Sequence, residues 1–288
     1  MSATMGPPVY LDGPLPVAPP RSLLNSAAIT IVPGDDRFGV GAAIWPYPPG
    51  LPSAWAPCST GTTRQKSDGE GWDLPIFNAF TLELAIECST VTANAPGFSA
   101  RAKIAFAAKE SYGVAYELAM GIADPLNPHL CDGNLTVLSG TAAVPVAVTP
   151  DVGLSYLEQA IGATGIQGAI LTSPAVGAAI NGSGGYGMDM YQGKLLTTAN
   201  GTPVALDGGF INAHPVGHSA PPTGQSWAFA TGPIQVRRNG DITMLPEEIK
   251  EAVAGQTTIN VATFRAERDY LVDWDTTLQA GVLIDWTP

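Results

Sequence analysis

Charge is what this sequence has least of. Asp, Glu, Lys and Arg make up 13% of its 288 residues, about half the ~25% usual for soluble domains. So little charge implies that part of the surface is covered by something else, and neighbouring copies of the same chain are the simplest cover. A monomer rich in small residues is the plainer alternative. Basic residues are scarcer still: 13 stand against 25 acidic ones, for a net charge of −12. A protein that grips nucleic acid through its phosphates needs clustered Lys and Arg. The densest basic pieces here are Arg64 with Lys66, Arg101 with Lys103, and Arg237 with Arg238. Nucleic acid, if this protein meets it, is enclosed loosely and without sequence-specific contacts.

Cysteine and histidine are equally sparse. Cys58, Cys88 and Cys131 form no Cys-x-x-Cys pair, and their odd count argues against a disulfide framework or a zinc site. His214 and His218 have the i, i+4 spacing of a helical metal pair, but Pro215 and Gly217 oppose a helix there. His129 stands apart. No apolar run reaches the length of a membrane span. The opening stretch MSATMGPPVYLDGPLPVAPP lacks the basic start and apolar centre of a signal peptide, and is expected to be a mature terminus. Gly182, Gly184 and Gly187 spell GxGxxG, yet a short predicted helix precedes them and Met188-Asp-Met-Tyr191 follows, the reverse of a dinucleotide-binding turn. There is no Walker lysine pattern and no G-x-S-x-G elbow. Asp35-Asp36 and Glu247-Glu248 read as a turn and a helix start. No catalytic, cofactor-binding or metal-ligating residue is assigned, and the chain is not read as an enzyme.

What the sequence does hold is 45% hydrophobic residues, ample for a core, and a distinctive order of segments. Residues 1–35 form a proline-rich arm, extended by Pro7, Pro8, Pro14, Pro16, Pro19 and Pro20. Leu23, Leu24, Ile29 and Ile31 predict that its end docks. Residues 36–75 carry Trp45, Tyr47, Trp55 and Trp72 among many Gly and Pro, with a polar centre at 64–71. This reads as a two-stranded excursion whose aromatics anchor an intermolecular contact, or else fold back over the chain's own core. A strand is predicted over 76–93 and a long Ala-rich helix over Phe98–Met120, with Gly113 its weak point, Gly121 its cap, and Phe98, Ala102, Phe106, Tyr112 and Tyr116 at near-helical spacing.

Beyond residue 121, short strands are predicted at 135–138, 144–148, 169–171, 194–198 and 202–206, the last two joined at Asn200-Gly201. Short helices are predicted at 151–161, ending at Gly162, and at 174–180. Strands follow at 227–231 and 234–237, with Asn239-Gly240 as a turn. A helix is expected over 246–254, then a long strand over 258–274 and a final one over 280–286. In the long strand Phe264, Ala266, Tyr270, Val272 and Trp274 share one parity, broken by Arg268, while Arg265, Glu267 and Asp269 share the other and suit a charge ladder. Interleaved helices and strands without regular βαβ order point to the α+β class.

That order of segments resembles the Hong Kong 97-type fold of tailed-phage major capsid proteins and encapsulins. Four stretches resemble capsid proteins of phages of actinobacteria: Trp227-Ala-Phe-Ala-Thr-Gly-Pro-Ile-Gln-Val-Arg237, the ending Phe264-Arg-Ala-Glu-Arg-Asp-Tyr-Leu-Val-Asp-Trp-Asp275, the 194–204 hairpin and residues 154–161. The resemblance implies an N-terminal arm (1–35), an extended loop (36–75), a peripheral domain with a spine helix (76–121), an axial domain (122–232) and a return to the peripheral domain (233–288). It implies hexamers and pentamers of an icosahedral shell around double-stranded DNA, built in the host cytoplasm and carried in the virion. Portal and scaffold or decoration proteins would be further partners, with no cofactor and no membrane. Trp45, Trp55 and Trp72 are the expected loop anchors, and Arg64, Lys66, Arg265 and Arg268 the expected intersubunit ion-pair residues. Lys66 is the one loop lysine, and no cross-linking partner for it is marked. No scaffolding segment or protease site is evident. An encapsulin-like shell is the alternative, then a decoration or tail protein, and more remotely an enzyme.

Overall fold

The longest alanine-rich, proline-free stretch becomes the longest helix. The computed structural model describes residues 16–33, 42–43, 75–89, 98–123, 126–182, 189–191, 195–250 and 261–287. In it helix α1 spans Phe98–Met120, as its composition predicts. Gly121 closes the helix at φ 59°, its N–H returning to the Glu117 carbonyl at 2.8 Å, a left-handed cap that favours glycine. Helix α2 spans Pro150–Thr164 and α3 spans Pro174–Gly182. Helix α2 runs past the expected stop at Gly162 and ends at Gly165, which takes the left-handed conformation (φ 70°).

The strands, in chain order, are β1 (Ile29–Pro33), β2 (Ala42–Ala43), β3 (Ile76–Phe77), β4 (Phe80–Ser89), β5 (Thr136–Val137), β6 (Ala169–Thr172), β7 (Asp189–Tyr191), β8 (Leu195–Thr197), β9 (Val204–Leu206), β10 (Gln225–Thr231), β11 (Ile234–Arg238), β12 (Thr243–Lys250), β13 (Val261–Trp274) and β14 (Gln279–Asp285). They make two five-stranded sheets and two small ladders, β2–β3 and β7–β8.

In the first sheet β13 is the central strand. β4 runs antiparallel along one edge from Phe80↔Tyr270 to Ser89↔Val261. The other edge is shared by β11 and then β12, also antiparallel, while β1 adds in parallel to β11. Arg238 faces Tyr270 and Thr243 faces Glu267, so the β11–β12 edge carries extra residues at Asn239-Gly240 and bulges there. The helix expected over 246–254 is thus corrected: its first part is strand β12, and residues 251–260 lie outside the described residues. A long unpaired edge of β13 overrides the local Pro-Glu-Glu helix signal. Pro246 falls in a register shift between Leu245 and Glu248, where its missing N–H costs no ladder bond.

The second sheet has the order β5-β14-β10-β6-β9. β6, β10 and β14 are buried along nearly their whole length, hence their continuous apolar runs. Ile170, Ala228, Ala230, Val282 and Ile284 pack with Leu154, Leu157 and Ile161 of α2 and Val176 and Ile180 of α3. The other face, with Leu171, Trp227, Phe229 and Leu283, joins the core around α1. Each such buried Leu or Ile contributes ~1.5–3 kcal/mol.

Two chain crossings tie the sheets together side by side. One is Gly232-Pro233, between β10 and β11; the other is the turn after Trp274, between β13 and β14. Asp275 donates its N–H to the Pro233 carbonyl at 3.2 Å, and a Cβ on Gly232 would lie 2.6 Å from that of Asp275. β11, β12 and β13 lie in the α1 sheet, but β14 pairs with β10 along its length.

Two smaller differences concern short segments of the second half. Residues 144–148 form no strand and make only the bridges Gly140↔Pro145 and Val148↔Ile284. The Asn200-Gly201 turn forms as predicted, with Gly201 at φ 85° and its N–H on the Thr198 carbonyl at 2.9 Å. Its hairpin ladder shrinks to Thr197↔Pro203, because β8 pairs with β7 and β9 with β6.

Candidate assembly surface

The two segments expected to reach other copies are anchored firmly at their roots. β2 and β3 pair antiparallel, Ala42↔Phe77 and Ala43↔Ile76, so the chain leaves and returns at one point. Residues 44–74 lie outside the described residues, and with them Trp45, Trp55, Trp72, Arg64 and Lys66. The end of the arm docks as Leu23, Leu24 and Ile29 predict. Leu23 is fully buried in a 3-10 turn, Leu23–Asn25, and Leu24 and Ile29 pack on the same core. Ile31, on β1, stays partly exposed.

A buried polar node fixes that docking. The Asp207 carboxylate accepts from the Leu23 N–H at 3.0 Å, the Ser111 hydroxyl at 2.7 Å and the Gly209 N–H at 3.1 Å. Ser111 Oγ in turn accepts from the Leu24 N–H at 3.0 Å. Asp207 thereby caps the 3-10 turn Gly208–Phe210 and joins it to α1 and the arm. Sequence reading missed Asp207. Its one signal was an acid directly before Gly-Gly.

The second node explains why Arg268 interrupts the apolar parity of β13. Glu110 of α1 faces the first sheet, and its Oε1 accepts from Arg268 at 2.8 Å, Arg238 at 2.9 Å and the Tyr270 hydroxyl at 2.7 Å. Arg268 also donates to the Gly240 carbonyl at 3.1 Å, closing over the β11–β12 bulge. Burial, then the Glu110 carboxylate, push the Tyr270 phenol well above its ordinary range. Arg265 lies on the opposite parity, half exposed, 3.4 Å from Glu83 of β4. This cross-strand pair matches the ladder expected there. Of the two β13 arginines, Arg265 therefore faces outward and Arg268 inward. On β11, Arg237 donates to Asp273 at 3.3 Å and Gln235 at 2.8 Å. Burial raises the Asp273 carboxyl above its ordinary value, and Arg237 only partly offsets this.

The exposed surface is notably apolar around the second sheet. Val144, Val146, Val216 and Ile211 are all at least half exposed. The loop holding Val216 is joined to the 139–146 turn by His218, whose Nε2 lies 2.6 Å from the Ala142 carbonyl. His214 contacts its own loop at the Asn212 carbonyl, 2.7 Å away. A half-open cleft of about 440 Å³ lies between the arm, α1 and the 208–210 turn. Tyr112 stands at its rim, half exposed, although spacing predicted it for the same stripe as the buried Ala102 and Phe106. Helix α1 is covered from two sides, so a single stripe does not describe it.

Among the described residues no three His, Cys, Asp or Glu side chains are placed to hold a metal ion, and no helix is long and apolar enough to cross a membrane. Cys131 is buried, and burial raises its thiol far above the range of a reactive cysteine.

The sequence matches no known protein-family profile and no curated protein. Solved structures do share its architecture. One from Microbacterium phage Oxtober96 is 11% identical, with a TM-score of 0.52, over 98% of this chain and 95% of its own. The capsid of an empty GTA particle is 12% identical, with a TM-score of 0.52, over 100% and 98%. One from Mycobacterium phage Bobi is 14% identical, with a TM-score of 0.50, over 98% and 96%. At such identities the likeness establishes the fold alone: the chain has an α+β fold like that of phage capsids of the Hong Kong 97 type.

Proposed function

We propose that this chain is a major capsid protein, assembling as hexamers and pentamers into an icosahedral shell around double-stranded DNA, with no enzymatic role. The observation that carries this is the fold shared over nearly the full length with the capsid of a GTA particle and with phage structures. The sparse charge and the exposed valines fit a surface that other copies cover. The acidic net charge fits enclosure of DNA without a grip on it.

In this reading the loop (36–75), leaving and returning at the β2–β3 ladder, lies over an adjacent subunit with Trp45, Trp55 and Trp72 as anchors. Arg64, Lys66 and Arg265 pair with carboxylates of neighbours. Arg268 serves the same contacts indirectly, by fixing α1 on the sheet that carries Arg265. The α1 sheet is the peripheral part and the β10–β14 sheet the axial part. Portal and scaffold or decoration proteins complete the virion.

Sedimentation velocity of the chain expressed alone tests this. The expected result is a fast boundary of rings or shells, reduced in Trp55→Ala while that variant's unfolding midpoint is unchanged. A single species near 29.7 kDa at all concentrations contradicts the reading. Normal particles from Trp55→Ala contradict the anchor role alone.

A further inference from the structure

Asparagine followed by glycine is a fragile pair, because the unhindered glycine nitrogen can reach the side-chain carbonyl carbon and close a five-membered ring. The chain holds three such pairs: Asn181-Gly182, Asn200-Gly201 and Asn239-Gly240. Their surroundings differ. Asn239 is tied down: its side-chain amide donates to Asp269 Oδ2 at 2.9 Å and its N–H to the Asp269 carbonyl at 3.3 Å. The Gly240 carbonyl accepts from Arg268 at 3.1 Å. Asn181 lies in the last turn of α3, where helical backbone keeps the following nitrogen turned away from the side-chain carbon.

Asn200 has neither restraint. It stands exposed at the tip of the turn between β8 and β9, and its side chain makes no hydrogen bond among the described residues. Gly201, at φ 85°, is exposed too, with no atom within 4 Å of where a Cβ would lie. One bond holds its nitrogen, to the Thr198 carbonyl at 2.9 Å. The tip can lift without undoing the hairpin, because a separate tie lies below it. The Thr198 N–H donates to the Thr202 carbonyl at 2.9 Å. The Thr198 and Thr202 hydroxyls both donate to the Glu158 carboxylate of α2, the second at 3.0 Å. Exposed openings of this kind lie at the low end of local stability.

We propose that Asn200 is a site of spontaneous deamidation, and that the change loosens the 198–202 turn from α2. The Gly201 nitrogen gives its proton to solvent base and attacks Asn200 Cγ. The new C–N bond closes a succinimide as the Cγ–Nδ2 bond breaks, and ammonia leaves after taking a proton back from solvent. Water then opens the ring at either carbonyl, giving aspartate or isoaspartate; nothing is oxidised or reduced. Either product puts a second carboxylate in the cleft of about 230 Å³ that Glu158 and Asn200 already line, where like charges repel. Isoaspartate also lengthens the backbone between the two threonines that Glu158 holds. The inference stands apart from the shell reading.

The test is peptide mapping by mass spectrometry of the full-length chain aged at neutral and at mildly alkaline pH, with a sample aged in urea as the unfolded reference. In the folded chain Asn200 should convert several-fold faster than Asn181 or Asn239, and faster at the higher pH, while in urea the three rates converge. Asp269→Ala should raise the rate at Asn239 towards that at Asn200. Conversion of Asn181 or Asn239 as fast as Asn200 in the folded chain overturns the proposal. So does an intact Asn200 there while the urea sample converts. Asn200→Asp supplies the charge without ageing and keeps a good turn pair. Its urea midpoint at neutral pH should fall, and fall less in a Glu158→Gln background. An equal fall in both backgrounds, or none, overturns the loosening from α2.

Discussion

Glu110 concentrates three donors on one oxygen beneath α1, with Arg268 and Arg238 bringing more positive charge than it alone neutralises. Removing one partner of a buried ion pair leaves the other charge uncompensated and typically costs ~3–5 kcal/mol, whereas an exposed pair contributes ~0–1 kcal/mol. Urea unfolding of the unassembled subunit should therefore show Glu110→Ala destabilised by about 3 kcal/mol or more, and Arg265→Ala by less than about 1 kcal/mol; equal losses would refute the assignment of inward and outward arginines. Gly209 meets a different constraint. A Cβ there would lie 2.6 Å from the Tyr116 nitrogen and 2.7 Å from the Tyr112 carbonyl. Backbone cannot yield as a side chain does, so Gly209→Ala should cost ~1–3 kcal/mol by the same measurement. Asp273 links stability to pH. Its folded carboxyl is raised above 3.8, so the folded state holds the proton more tightly, and the contribution present below that value is lost as pH rises through the raised one. Asp273→Asn should gain on the wild type between acid and neutral pH; a constant difference in urea midpoint would contradict this.

At the scale of elements, the docked residues 23–33 belong to the subunit's own fold. Leu23 is fully buried, so Leu23→Ala should lower unfolding free energy by ~2–5 kcal/mol, and deleting residues 1–15 should leave the midpoint of the isolated subunit unchanged. Denaturation of the two variants side by side checks this. Elements set by local chemistry were legible in the sequence: α1 from its alanines and Gly121, α3 from Pro174, β10 and β13 from their apolar runs, and the docked arm from Leu23 and Leu24. Elements set by distant partners were not. Pro246-Glu-Glu reads as a helix start until the free edge of β13 claims it as strand. Gly162 reads as a helix stop until α2 continues against β14. Of the candidate contact residues, Arg268 announced itself by breaking an alternation, but its partner Glu110 lies 158 positions away, and no local pattern connects the two.

At the scale of the whole molecule, two sheets share one core through α1 and are coupled by two adjacent crossings at Gly232 and Asp275. Among the described residues the β2–β3 ladder joins the two ends of residues 44–75, and the Asp207 node holds Leu23 against α1. The proposed function is assembly of this body with copies of itself into a closed shell. The measurement that tests this most directly is negative-stain electron microscopy of the full-length chain expressed alone. The account predicts five- and six-fold rings, tubes or closed shells of uniform wall thickness. A field of isolated particles of subunit size, unchanged at high protein concentration, would contradict it.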